Sequence, residues 1–183
     1  MEPITTFFTA INALLLGIND SFVKPSKSNQ KELTEHHRIL DKAYIDFDLT
    51  MHRLFVQLEK GGYETVKEEL LKLDNILDQD FRQIIYLVEN MRTKISLLDI
   101  HELTESLGKV AEKCIDVLGC WKELQKAIAS ENPKLIKRLC NRNREVIKTY
   151  VEEINNLADR AENILDQRQF KLSKPQKTKK KTN

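Results

Sequence analysis

The sequence predicts an all-α protein: an antiparallel up-down four-helix bundle with an additional short apolar helix at its N-terminus. Three observations predict it. Apolar residues recur at helical spacing over four stretches of about 30 residues. All four prolines, Pro3, Pro25, Pro133 and Pro175, fall between or at the ends of those stretches, where the roughly 3 kcal/mol penalty of a mid-helix proline is avoided. Only five glycines occur in 183 residues, too few for the turns and phosphate loops of a sheet enzyme.

The first element spans residues 3–19. Ile4, Phe7, Phe8, Ile11, Leu15 and Ile18 lie at helical spacing, and Pro3 suits a first helical position. Thr5, Thr9, Asn12 and Asn19 form the other face, so no side chain from 3 to 19 is ionisable. Glu2 stands where a secretion signal carries basic residues, and no small-residue cleavage site follows, so this segment is expected to be retained.

The second element spans about 29–60. Leu33, His37, Leu40, Tyr44, Phe47, Met51, Leu54 and Leu58 keep a 4-3-4-3 spacing, the seam of a heptad helix. Gly61-Gly62 then reverses the chain. The third, about 64–98, carries Val66, Leu70, Leu73, Leu77, Phe81, Ile84, Val88, Met91, Ile95 and Leu98, with a local stutter between Leu77 and Phe81.

The fourth, about 100–129, carries Leu103, Leu107, Val110, Cys114, Val117, Trp121, Leu124 and Ile128. Asp99 with Glu102 fits a capping pattern at its start. Asn132-Pro133 separates it from the fifth, about 134–169, whose stripe is Ile136, Cys140, Ile147, Tyr150, Ile154, Leu157, Ala161 and Ile164, interrupted by Asn143. Short connections between long helices imply antiparallel neighbours. Residues 1–170 are expected to form one domain and 171–183 a disordered basic tail.

Motifs for catalysis are absent. The sequence has no Gly-rich phosphate loop, GxSxG or HExxH. Its histidines, His36, His37, His52 and His101, form no Glu-x-x-His motif of the kind a di-iron bundle uses. Asp48 and His52 could make half a metal site, and nothing completes it. His37 reads as a hydrogen-bonded or semi-exposed core residue. Cys114, Cys120 and Cys140 are odd in number and form no CxxC, which suits a reducing compartment. A Cys–His nucleophile pair stays open, but thiols on apolar stripes read first as packing. No catalytic residue, metal or cofactor is expected.

Charge is unevenly spread. Residues 1–167 carry 23 basic and 28 acidic side chains, whereas 168–183 carry seven basic and none acidic. The fifth helix begins with Lys134, Lys137, Arg138, Arg142, Arg144 and Lys148 against one acid, Glu145. Basic residues there oppose the helix dipole, so an anionic partner surface is a candidate role, shared with Lys171, Lys174, Lys177, Lys179, Lys180 and Lys181. Nucleic acid is a poorer match than a membrane, because no aromatics interleave the tail lysines for base stacking.

The opening Met1-Glu2-Pro3-Ile4, followed by an uncharged apolar helix through Leu14-Leu15-Leu16-Gly17-Ile18, resembles the start of HeLo and HeLo-like domains over about the first 20 residues. That group includes fungal cell-death effectors, the four-helix bundle of the necroptosis executioner pseudokinase, and bacterial and archaeal Bell domains. The resemblance implies that the first helix rests on a bundle, is released on activation, and permeabilises membranes as a homo-oligomer. It assigns Ile4, Phe7, Phe8, Ile11, Leu14, Leu15 and Ile18 as the membrane-entering face. It also implies a cytoplasmic protein recruited to the inner membrane face by anionic lipids, under an upstream trigger. The alternative from the residues alone is a non-enzymatic helical adaptor that binds a protein partner.

Overall fold

The computed structural model describes residues 2–173, with side chains to Arg168. Within them the chain forms five helices: α1 (Glu2–Val23), α2 (Lys27–Glu59), α3 (Tyr63–Ser96), α4 (His101–Ala129) and α5 (Pro133–Ser173). The described residues contain no strand.

Each boundary has a local cause. The Ser26 hydroxyl caps α2 by accepting from the Asn29 amide at 3.1 Å. The Asn29 side chain in turn donates to the carbonyls of Lys24 (2.8 Å) and Asp20 (3.3 Å), which closes the end of α1 onto the start of α2. Gly61 adopts φ 78°, a backbone that favours glycine, between α2 and α3. Asn132 Oδ1 accepts from the Leu135 amide at 3.1 Å, and Pro133 opens α5.

The expected Asp99 cap is corrected. Asp99 sits at φ 57° outside the helix, Ile100 holds the N-cap position without a side-chain bond, and the Asp99 carboxylate lies 2.9 Å from His101 Nε2. The α3 stripe also ends early, because the chain leaves the helix after Ser96. Leu97 and Leu98 are exposed, and Ile100 takes the buried place. At the other extreme, α1 continues to Val23 and buries Phe22. Helix α5 continues to Ser173, so residues 171–173 extend it where tail was expected. The rest of that tail lies outside the described residues.

Pairs of side chains show how the helices run. Glu59 meets Arg144 and His37 meets Glu162, so α2 and α5 are antiparallel. The Trp121 indole donates to Asp74 Oδ1 at 3.1 Å between α4 and α3. Helices α4 and α5 share the most extensive contact, α1 and α2 the next. Helices α2 and α3 meet only sparingly, with Arg53 and Glu69 3.6 Å apart near their joining turn. Away from that turn, α1 lies between them. Phe7 stacks on Phe47 of α2 with ring centroids 4.2 Å apart, and Phe8 meets Phe81 of α3 edge-on at 5.0 Å.

One contiguous core results, and α1 is part of it. An aromatic chain runs from Tyr44 and Phe47 through Phe7 and Phe8 to Phe81 and Tyr150, linking α2, α1, α3 and α5. Asn143, the polar break in the α5 stripe, is buried, and its amide donates to the carbonyls of Cys120 (3.1 Å) and Leu139 (2.9 Å). Its place in the core is therefore hydrogen-bonded on the donor side.

Candidate functional site: the N-terminal helix and its seat

Helix α1 has 22 residues and a mean hydropathy of 1.3 over its most apolar window. At 1.5 Å per residue it is about 33 Å long, matching a hydrocarbon layer of about 30 Å. It is long and apolar enough to cross a membrane, and half of that window is buried in the protein. All seven residues assigned to the membrane-entering face, Ile4, Phe7, Phe8, Ile11, Leu14, Leu15 and Ile18, are 0–1% exposed. The fold thus gathers them on one face, turned into the bundle.

The opposite strip faces water. Thr5, Thr6, Thr9 and Leu16 are exposed, and Ala13 is half-buried. None of them is charged, and the exposed acids of α1, Glu2 and Asp20, stand at its two ends. The outward faces of α2 to α5 differ in kind, carrying lysine–acid and arginine–acid pairs such as Glu35–Arg38, Asp78–Arg82, Glu105–Lys109 and Lys148–Glu152. Helix α1 also holds buried polar atoms without hydrogen-bond partners: Asn12 Oδ1, Asn19 Oδ1 and Ser21 Oγ. Each such atom subtracts from the net gain of docking.

Two close approaches hold the C-terminal half of α1. A Cβ at Gly17 would lie 3.1 Å from the half-buried His36 ring and 3.6 Å from the Leu33 Cα, so a larger residue here would have to push the His36 side chain aside. The Arg168 guanidinium of α5 sits over the Phe22 ring at 5.5 Å.

The expected basic surface on α5 divides. Lys134, Lys137 and Arg138 are exposed at its start. Arg142 pairs with Glu123 at 2.8 Å, and Lys148 lies 4.0 Å from Glu152. Arg144 is an internal brace: it bonds Glu59 at 2.7 Å and Asn141 at 2.7 Å, and covers the Phe55 ring. Arg168 lies about 30 residues beyond Arg138, about 45 Å by helix rise. The exposed basic residues at the start of α5 thus lie far from Arg168, which is engaged with Phe22. The lysine side chains at 171, 174, 177, 179, 180 and 181 lie outside the described residues.

The thiols are core groups. Cys114 and Cys140 are fully buried, and burial pushes each thiol up to about 12. Nucleophilic catalysis needs the thiolate, which such surroundings disfavour. Asp48 and His52 are exposed, and no third donor joins them among the described residues. No protein family, curated protein or solved structure matches the chain.

Proposed function

We propose that this chain is a membrane-permeabilising effector, in which α1 leaves its seat on an antiparallel up-down bundle of α2 to α5 and enters an anionic membrane as part of a homo-oligomer. The observation that carries this reading is the uncharged outward strip of α1 between Glu2 and Asp20. A helix that only plugged a core could carry Lys and Glu on its wet face, as the other four helices do. Freedom from charge on both faces over residues 3–19, with the exposed acids Glu2 and Asp20 only at the two ends, suits a stretch whose faces meet lipid or another apolar helix.

The energetics support a stored element. Burying seven large apolar side chains is worth roughly 10–20 kcal/mol gross by transfer bookkeeping. Release into water forfeits most of that, so the resting chain keeps α1 docked. A bilayer accepts the same side chains, so docking and insertion compete as two apolar environments. In this reading the protein is cytoplasmic at rest, the exposed Lys134, Lys137 and Arg138 add attraction to an anionic inner leaflet, and an upstream protein supplies the trigger.

The test exploits the two faces. Thr9→Lys with Leu16→Lys places charges on the exposed strip, where the folded state tolerates them. Each lysine near the bilayer centre costs about 2.5–3.5 kcal/mol. Dye leakage from anionic liposomes is expected with the full chain and lost in the double variant, with unchanged helical content. Undiminished leakage by that variant refutes insertion of α1. No leakage from folded full-length chain, alone or forced into oligomers by a cross-linker, leaves the adaptor reading, for which Ile45 and Leu49, 60% and 62% exposed on one face of α2, would be the contact to probe.

A further inference from the structure

We infer that His37 of α2 with Asp159 and Glu162 of α5 forms a binding site for a divalent transition-metal ion of the Zn2+ class. One ligand atom from each residue lies within 4.8 Å of the other two. His37 Nδ1 and Glu162 Oε1 are 3.7 Å apart. A tetrahedral ion with bonds of about 2.1 Å needs ligand atoms about 3.4 Å apart, so small side-chain rotations close the set. Asp159 is exposed and has room to make them.

Three further features favour a cation here. Glu162 Oε1 is buried and receives no hydrogen bond, an acceptor that an ion would satisfy. Neither carboxylate has a Lys or Arg partner among the described residues. Asp159 and Glu162 are three residues apart on one helix, which puts both on the same face toward α2.

The donor chemistry selects the metal. One imidazole nitrogen and two carboxylate oxygens suit Zn2+, and also Mn2+ or Fe2+, better than Mg2+ or Ca2+, which take oxygen donors throughout. Three protein ligands leave a coordination position for water. The ion would tie α2 to α5 beside the seat of α1, since the neighbouring His36 packs against Gly17 and α5 reaches Phe22 through Arg168. A metal-braced seat holds α1 in place. That consequence rests on the membrane reading above; the binding site does not.

Titration of the full chain with Zn2+ alone, followed by calorimetry, tests the site. One saturable equivalent is expected. A free Zn2+ concentration about 100-fold above Kd should raise Tm by roughly 5–10 °C. Co2+ should give visible bands without thiolate charge transfer, which separates this site from the cysteines. His37→Ala, and the near-isosteric Asp159→Asn and Glu162→Gln, should each weaken binding at least about tenfold. His101→Ala, in the exposed pair with Asp99, should leave it unchanged. No saturable binding below about 100 µM Zn2+, or binding that survives both His37→Ala and Glu162→Gln, overturns the site. In liposomes, Zn2+ should slow leakage by the parent chain and not by Glu162→Gln. Intact binding with unaltered leakage overturns the brace and leaves the site standing.

Discussion

Phe8→Ala measures how far α1 belongs to the core. Phe8 is 1% exposed and meets three rings: Phe7 at 5.4 Å, Phe47 at 6.3 Å and Phe81 at 5.0 Å. Truncation removes the α1–α3 link of the aromatic chain and leaves a cavity between helices that cannot close without moving their backbones. Buried Phe→Ala changes cost about 3–5 kcal/mol, and three lost ring pairs place this one toward the upper end. With a urea m value of about 2 kcal/mol/M, the midpoint should fall by about 1.5–2.5 M. Trp121 fluorescence is the assay of choice. Trp121 is buried between α4 and α3, hydrogen-bonded to Asp74 and remote from α1 in sequence, so a shift there reports loss of the whole core. Circular dichroism should follow the same curve. Thr9→Ala, on the exposed strip, should change stability by no more than about 0.5 kcal/mol. A midpoint shift below about 0.5 M for Phe8→Ala would refute the reasoning, since α1 would then be a satellite and not a structural member of the core.

Two further outcomes follow from the buried and half-buried titratable groups. Burial raises the Asp80 carboxyl above its ordinary value, so the folded state binds its proton more tightly than the unfolded chain does. Stability from this group is therefore present at low pH and is lost as pH rises through the carboxylate range. Asp80→Asn removes that loss and should raise Tm at pH 7, with the advantage vanishing below about pH 3.5; an unchanged Tm at pH 7 would count against it. Cys114 and Cys140, both pushed up to about 12 and fully buried, should resist a thiol reagent at pH 8 until urea unfolds the chain. Prompt labelling of either, mapped by mass spectrometry, would show that the core opens locally.

Much of the fold is legible in periodicity. The heptad of α2 runs from Leu33 to Leu58, and Leu33, Leu40, Phe47, Met51, Leu54 and Leu58 are all buried. The exceptions are informative. His37 and Tyr44 occupy seam positions but sit half-buried beside α5, because their polar ends need water or a partner. On α5 the single stripe undercounts the core. Leu139, Val151, Ala158 and Leu165 are buried as well, since α5 packs against both α4 and α2 and must bury a wider face than one seam provides. The Asp99 cap failed because capping patterns describe local preference, and a four-residue turn between two packed helices set the backbone at φ 57° instead.

The candidate sites show the same division. The sequence by itself determined that residues 3–19 of α1 form an amphipathic helix without charge, since that depends only on which residues recur every three to four positions. Where the helix goes is a long-range matter. Its insertion between α2 and α3 rests on Phe7 and Phe8 finding Phe47 and Phe81, with Gly17 set close against His36. The basic residues of α5 were equally plain in the chain, yet only packing separated Arg144, tied to Glu59, from the exposed Lys134, Lys137 and Arg138. The grouping of His37 with Asp159 and Glu162 spans more than 120 residues of chain and two helices. A search for ligands within one helix passes over it. Periodicity fixes the face a side chain takes on its own helix, and only the antiparallel register of α2 against α5 decides which face it meets.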